Sequence, residues 1–173
     1  FIMMGDDETQ EPLYLMNDSD NRFEYLLPVP GTSNGIVATS DLYFDVQKKD
    51  DAIVFRADAG GGRYFEQRYA LAPDSYTVDY SVRFVGLQNV LAADAPYVQL
   101  NWVNYLNKLE RNVDYERRFS SVYYKPVSDD VDYCSCTSDD VEDLDDESLA
   151  WVSHSNQFFH SALIAGELPF ESG

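Results

Sequence analysis

The chain has 173 residues, 45 % of them hydrophobic and 14 % aromatic, with 31 Asp and Glu against 12 Lys and Arg for a formal net charge of −19. This is a globular composition, long enough to bury a core without metals or disulfides, and the aromatic wealth favours strands. The sign of the charge excludes nucleic-acid binding through phosphate neutralisation and disfavours docking on anionic lipid.

In chain order, Asp41–Gln47 reads as a first strand and Lys48-Lys49-Asp50-Asp51 as a polar turn. Ala52–Ala57 alternates, with Ile53 and Phe55 on one side and Val54 and Arg56 on the other. Gly60-Gly61-Gly62 follows. No Lys-Ser or Lys-Thr pair comes after it, so it reads as a hairpin turn and not a phosphate loop. Arg63–Leu71 is the next strand, with Phe65, Tyr69 and Leu71 on one face. Ala72-Pro73-Asp74-Ser75 is turn chemistry. Tyr76–Val85 is the clearest half-buried strand, with Tyr76, Val78, Tyr80, Val82 and Phe84 on one face and Thr77, Asp79, Ser81 and Arg83 on the other. These segments make a four-strand meander.

Leu87–Pro96 reads as a connection, Tyr97–Val103 as a strand, and Tyr105–Arg111 as a short helix on the three-residue spacing of Leu106 and Leu109. Phe119–Lys125 is a further strand, and an acidic loop spans 137–148, where seven of the nine residues from Asp139 to Glu147 are acidic. Ala150–His154 and Gln157–Ala165 close the chain as apolar strands. Many strands and one or two short helices imply a mostly β, antiparallel sandwich in a single domain covering 1–173.

Chemistry-bearing clusters are sparse. Asp139, Asp140, Glu142, Asp143, Asp145 and Asp146 could offer oxygens to calcium. The run lacks the mid-loop glycine and ligand spacing of an EF-hand, so a solvated loop is the favoured reading. His154 and His160 lack a third zinc ligand at metalloprotease spacing. Cys134 and Cys136, one residue apart, read as loop thiols and not as a bridge or metal pair. Trp102, Trp151, Tyr123 and Tyr124 could line a sugar or peptide groove, although a core role is the favoured one for both tryptophans. No catalytic residue, cofactor or resident metal is expected. No apolar run approaches the roughly 20 residues that span a bilayer. The opening residues carry no secretory signal pattern, so the chain reads as a soluble piece of something larger.

Three stretches, in order and spacing, resemble the periplasmic domain of the YidC family of bacterial membrane-protein insertases. From Trp151 to Ala165, a Trp begins a strand, Gln157-Phe158-Phe159 follows, and a small apolar run closes it. Tyr115–Lys125 and Asp74–Tyr80 resemble the family's upstream segment and central hairpin. The likeness runs from about Asp41 to Ala165 and implies a twisted β-supersandwich like that of galactose mutarotases. It further implies a location on the periplasmic side of the inner membrane, tethered by transmembrane helices on both sides. The family inserts and folds inner-membrane proteins, alone or beside the Sec translocon, without a cofactor. Its insertase groove lies among membrane helices, so no groove residue carries over to this chain. The resemblance places this chain in the middle portion of that domain and makes scaffolding or partner docking the expected role. A mutarotase-like carbohydrate-active or carbohydrate-binding sandwich is the alternative. Open sheet edges leave a homodimer as a further expectation.

Overall fold

The computed structural model describes residues 2–4, 11–14, 17–106, 109, 111–135 and 137–173. In chain order the strands are β1 Ile2–Met4, β2 Glu11–Leu13, β3 Arg22–Pro28, β4 Ile36–Ala38, β5 Asp45–Lys48, β6 Ala52–Asp58, β7 Tyr64–Leu71 and β8 Val78–Val85. They continue with β9 Gln99–Val103, β10 Ser121–Pro126, β11 Asp132–Tyr133, β12 Leu149–Ser155 and β13 His160–Ile164. The α-helix α1 is Val113–Arg117, and 3-10 turns occupy Thr39–Asp41 and Leu87–Asn89. Every strand pairing among the described residues is antiparallel, as the sequence predicts. Among the described residues no helix is long and apolar enough to cross a membrane.

The chain divides into two compact units, Arg22–Val103 and the pair of segments Phe1–Asn21 and Asn104–Gly173. In the first, β5-β6-β7-β8 forms the expected meander and β4-β3-β9 a second sheet. The two sheets meet through aromatic rings. Phe23 and Tyr25 alternate with Glu24 on β3, so both rings leave the same face. Phe23 meets Tyr80 edge-on at 5.6 Å, and Tyr25 meets Phe65 at 5.8 Å. Phe65 lies at the centre, fully buried, with Phe44 and Phe84 also against its ring. Strand β3 was not anticipated: its apolar positions run on through Leu26 and Leu27, which blurs the alternation.

The Gly60-Gly61-Gly62 run is the hairpin turn expected of it. All three glycines have positive φ, and Ala59 N–H donates to Arg63 C=O at 2.9 Å to close the turn. On β6 the two faces differ in cover: Val54 is almost fully buried while Ile53 is 40 % exposed. Val54 shares its face with Arg56 and, across the ladder, with Glu66 and Arg68. Long charged side chains of this kind shield a short apolar neighbour with their stems. Arg56 Nη2 lies 2.6 Å from Glu66 Oε2, and its guanidinium lies 4.0 Å from the centre of the Tyr64 ring. The Arg56 hydrogen bond holds the Glu66 carboxyl below the usual carboxylate range against the opposing effect of burial.

In the other unit β11-β10-β12-β13 forms a four-stranded sheet, and β1 and β2 form a separate pair. Leu149 is the most buried apolar residue among its described residues and exchanges backbone hydrogen bonds with Phe170 at 2.8 and 2.9 Å. Of the helix expected at Tyr105–Arg111, the described residues Tyr105, Leu106, Leu109 and Arg111 are non-helical, and Asn107, Lys108 and Glu110 lie outside the described set. The helix forms at α1 because Asn112 caps it, its Oδ1 accepting from Tyr115 N–H at 3.1 Å. The side chain of the buried Glu116 accepts from Leu109 N–H with both oxygens at 3.0 Å, which ties Leu109 to α1.

Candidate functional site

An open cleft of about 430 Å³, lined by aromatic rings and a few polar groups, lies within the 22–103 unit. Its walls come from β3 (Phe23), the turn after β4 (Ser40), the segment entering β5 (Phe44), β6 (Phe55) and β7 (Gln67 and Tyr69). Alternation on β6 and β7 puts Phe55, Gln67 and Tyr69 on one face, since Phe55 and Gln67 are register partners. Phe55 stands edge-on to Tyr69 at 5.8 Å and to Phe44 at 6.4 Å.

Gln67 supplies the polar floor. Its Oε1 accepts from Tyr69 OH at 3.0 Å and from Tyr80 OH at 2.7 Å. With that oxygen taken, the amide nitrogen is the donor left for a ligand. Burial, then the hydrogen bond with Tyr25, pushes the Tyr80 hydroxyl well above the ordinary tyrosine range, so this cluster stays neutral and donates hydrogen bonds. Behind Ser40 sits Glu24, 6 % exposed. Ser40 Oγ donates to Glu24 Oε2, and Asn101 Nδ2 donates to Oε1 at 2.9 Å. These bonds, Ser40 first, hold the carboxyl below the usual range although burial opposes them. The cleft is apolar and ring-lined with few polar contacts, a surface suited to an extended apolar segment.

The residues singled out from sequence lie elsewhere. Trp102 on β9 stands opposite Phe23, ring centroids 6.2 Å apart, in the 22–103 unit. Tyr123, Tyr124 and Trp151 belong to the other unit. Tyr123 and Trp151 share one face of the β10–β12 ladder, Tyr123 stacking near Tyr133 at 5.5 Å, while Tyr124 is buried on the opposite face. His154 and His160 sit on neighbouring strands but on opposite faces, because their register partners are Ser161 and Ser155. They therefore cannot converge on one reacting atom. The acidic side chains from Asp139 to Glu147 are all exposed. Asp140 turns inward on its own loop, accepting from Ser135 N–H at 2.6 Å. Among the described residues no three His, Cys, Asp or Glu side chains gather at metal-binding spacing. The cleft residues Phe44, Phe55, Gln67 and Tyr69 were not anticipated as a site. Their shared face is legible, but a concavity arises only once the second sheet is laid over it.

Cys136 lies outside the described residues. Cys134 is half-buried, and burial, then the charges of Asp140, Glu142 and Asp132, push its thiol up. Its iodoacetamide alkylation is expected to be slower at pH 8 than that of a free cysteine and to accelerate through a higher pH range. Mass-spectrometric rates at Cys134 across pH check this, and alkylation as fast as that of a free thiol contradicts the burial.

The family model for the YidC periplasmic domain matches residues 4–171. The chain belongs to that family. It is similar to the membrane protein insertase YidC of Bacteroides fragilis, 34 % identical over 169 residues, which cover 97 % of this chain and 26 % of that relative. Against the YidC of Phocaeicola vulgatus it is 32 % identical over 158 residues, 91 % of this chain and 25 % of the relative. Against that of Cytophaga hutchinsonii it is 28 % identical over 162 residues, again 91 % and 25 %. The chain thus spans about a quarter of the length of the curated relatives it matches. No solved structure matches it.

Proposed function

We propose that residues 1–173 serve as one non-catalytic periplasmic domain of a YidC-type insertase. In this reading the domain is a scaffold and docking surface for the insertion and folding of inner-membrane proteins, alone or beside the Sec translocon. The observation that carries the reading is the family match across residues 4–171. The cleft between the two sheets of the 22–103 unit is its working surface, and it receives extended apolar segments of client or partner proteins. Aromatic walls hold such segments by area and ring geometry without demanding one sequence, which suits a surface that meets many clients. The net charge of −19 keeps the domain from lying on an anionic headgroup layer.

A sugar-processing role has less support. Among the described residues no histidine lines the cleft.

Titration of isotope-labelled chain with extended apolar peptides, followed by amide chemical shifts, tests the docking surface. Shifts concentrated at Ser40, Phe44, Phe55, Gln67 and Tyr69 are expected. Shifts confined to other surfaces, or none at millimolar peptide, contradict it.

A further inference from the structure

The four-stranded sheet of the 22–103 unit ends on one side in β5 and on the other in β8. The two edges differ. Strand β5 has four residues, three of them polar: Asp45, Gln47 and Lys48. Strand β8 has eight residues and pairs with β7 without a break, from Tyr64 opposite Val85 to Leu71 opposite Val78. It carries no proline, glycine, lysine or bulge, the usual devices that keep an edge from pairing. Val78 is 47 % exposed and Phe84 39 %. Its outer backbone groups make no cross-strand ladder among the described residues.

We propose that β8 pairs antiparallel with β8 of a second copy of this chain, on a twofold axis through Ser81. Residues directly opposite in an antiparallel pair must lie on the same face, so only registers with an even sum of residue numbers keep the apolar faces on one side. Among these, centring on Ser81 sets Asp79 opposite Arg83, the only two charges of the strand, and repeats that pairing on the other side of the axis. The same register sets Val78 opposite Phe84 and Tyr80 opposite Val82. Centring on Tyr80 or Val82 leaves both charges without an opposite charge across the pair. Arg83 remains available: it is 61 % exposed and its contact to Glu66 is a long one, 3.4 Å, from a single guanidinium nitrogen. The pairing extends the four-stranded sheet to one of eight strands. The general repulsion between two acidic chains is screened at physiological salt over about 8 Å, whereas facing side chains meet at shorter range.

Sedimentation velocity of the 173-residue chain over a concentration series tests this together with two variants. The wild-type chain is expected to dimerise. Asp79→Arg sets arginine against arginine and is expected to raise the dimer dissociation constant about tenfold. With Cys134 and Cys136 replaced by serine, Ser81→Cys is expected to form an intermolecular disulfide on mild oxidation, because the twofold places the residue opposite itself at disulfide distance. Thr77→Cys is the control, since its two copies would lie about 27 Å apart along the strands. A monomeric wild-type chain overturns the proposal. So does a dimer insensitive to Asp79→Arg in a variant with the wild-type far-ultraviolet spectrum. Crosslinking at position 81 no faster than at position 77 overturns it as well, as does occupation of this edge by a strand from another protein in place of the second copy.

Discussion

Phe65→Ala is expected to lower the stability of the 22–103 unit by about 3–5 kcal/mol. Phe65 is among the largest fully buried side chains, and its ring meets those of Tyr25, Phe44 and Phe84 at 5.8, 6.2 and 5.3 Å. Tyr25 comes from one sheet and Phe84 from the other. Truncation therefore opens a void at the point where the sheets hold each other, and the surrounding rings cannot fill it without leaving their preferred rotamers. Phe65→Leu retains most of the volume and is expected to cost about 1–2 kcal/mol. Urea unfolding checks both: the midpoint falls in the order wild type, Leu, Ala, while the slope holds. A midpoint unmoved by the alanine would mean that this ring is not the centre of the core.

Glu24→Leu is expected to be the second large effect. Its carboxylate accepts from the Ser40 hydroxyl and the Asn101 amide in a nearly closed environment. Removing it strands both donors, at about 1–3 kcal/mol for each that finds no substitute. Glu24→Gln keeps the shape and can exchange the same groups, because the serine hydroxyl turns to accept from the new amide; a cost of roughly 1 kcal/mol or less is expected. The pair also separates packing from charge. Glu24 and Glu66 both have folded-state pKa values below their ordinary ones. Each therefore contributes stability that is fully present above the unfolded-state pKa of about 4.3–4.5 and is lost as pH falls through the folded value. Thermal melts of wild type are expected to drop steeply below about pH 4.5. In Glu24→Gln the drop is shallower, since one of the two groups no longer takes up a proton. Identical acid profiles for the two proteins would contradict the assignment.

The meander was legible because β6, β7 and β8 alternate cleanly and are joined by unmistakable turn chemistry at Gly60-Gly61-Gly62 and Ala72-Pro73-Asp74-Ser75. The fate of each face was less so. Alternation says that Val54 and Ile53 point opposite ways, not which of them is covered. The answer came from Arg56, Glu66 and Arg68 sharing the face of Val54. The helix was misplaced by a few residues because Leu106 and Leu109 imitate a helical stripe, whereas the Asn112 cap and the backbone bonds to Glu116 decide the matter. Strand β3 escaped notice through its doubled Leu26-Leu27. The cleft was illegible for a different reason: its walls come from Phe23, Ser40, Phe44, Phe55, Gln67 and Tyr69, spread over five segments that only tertiary packing unites. The family resemblance was legible from three short stretches, and none of them includes a cleft residue.

We propose the inter-sheet cleft as a docking surface of an insertase. Photo-crosslinking in the full-length parent protein tests it most directly, with a benzophenone amino acid at Phe44 in the cleft and, as control, at Val141, which is 89 % exposed in the acidic loop. During membrane-protein synthesis, adducts to inner-membrane clients or insertion partners are expected from position 44 and not from position 141. Equal labelling from both positions, or none from position 44 while the parent protein remains active, would contradict the account.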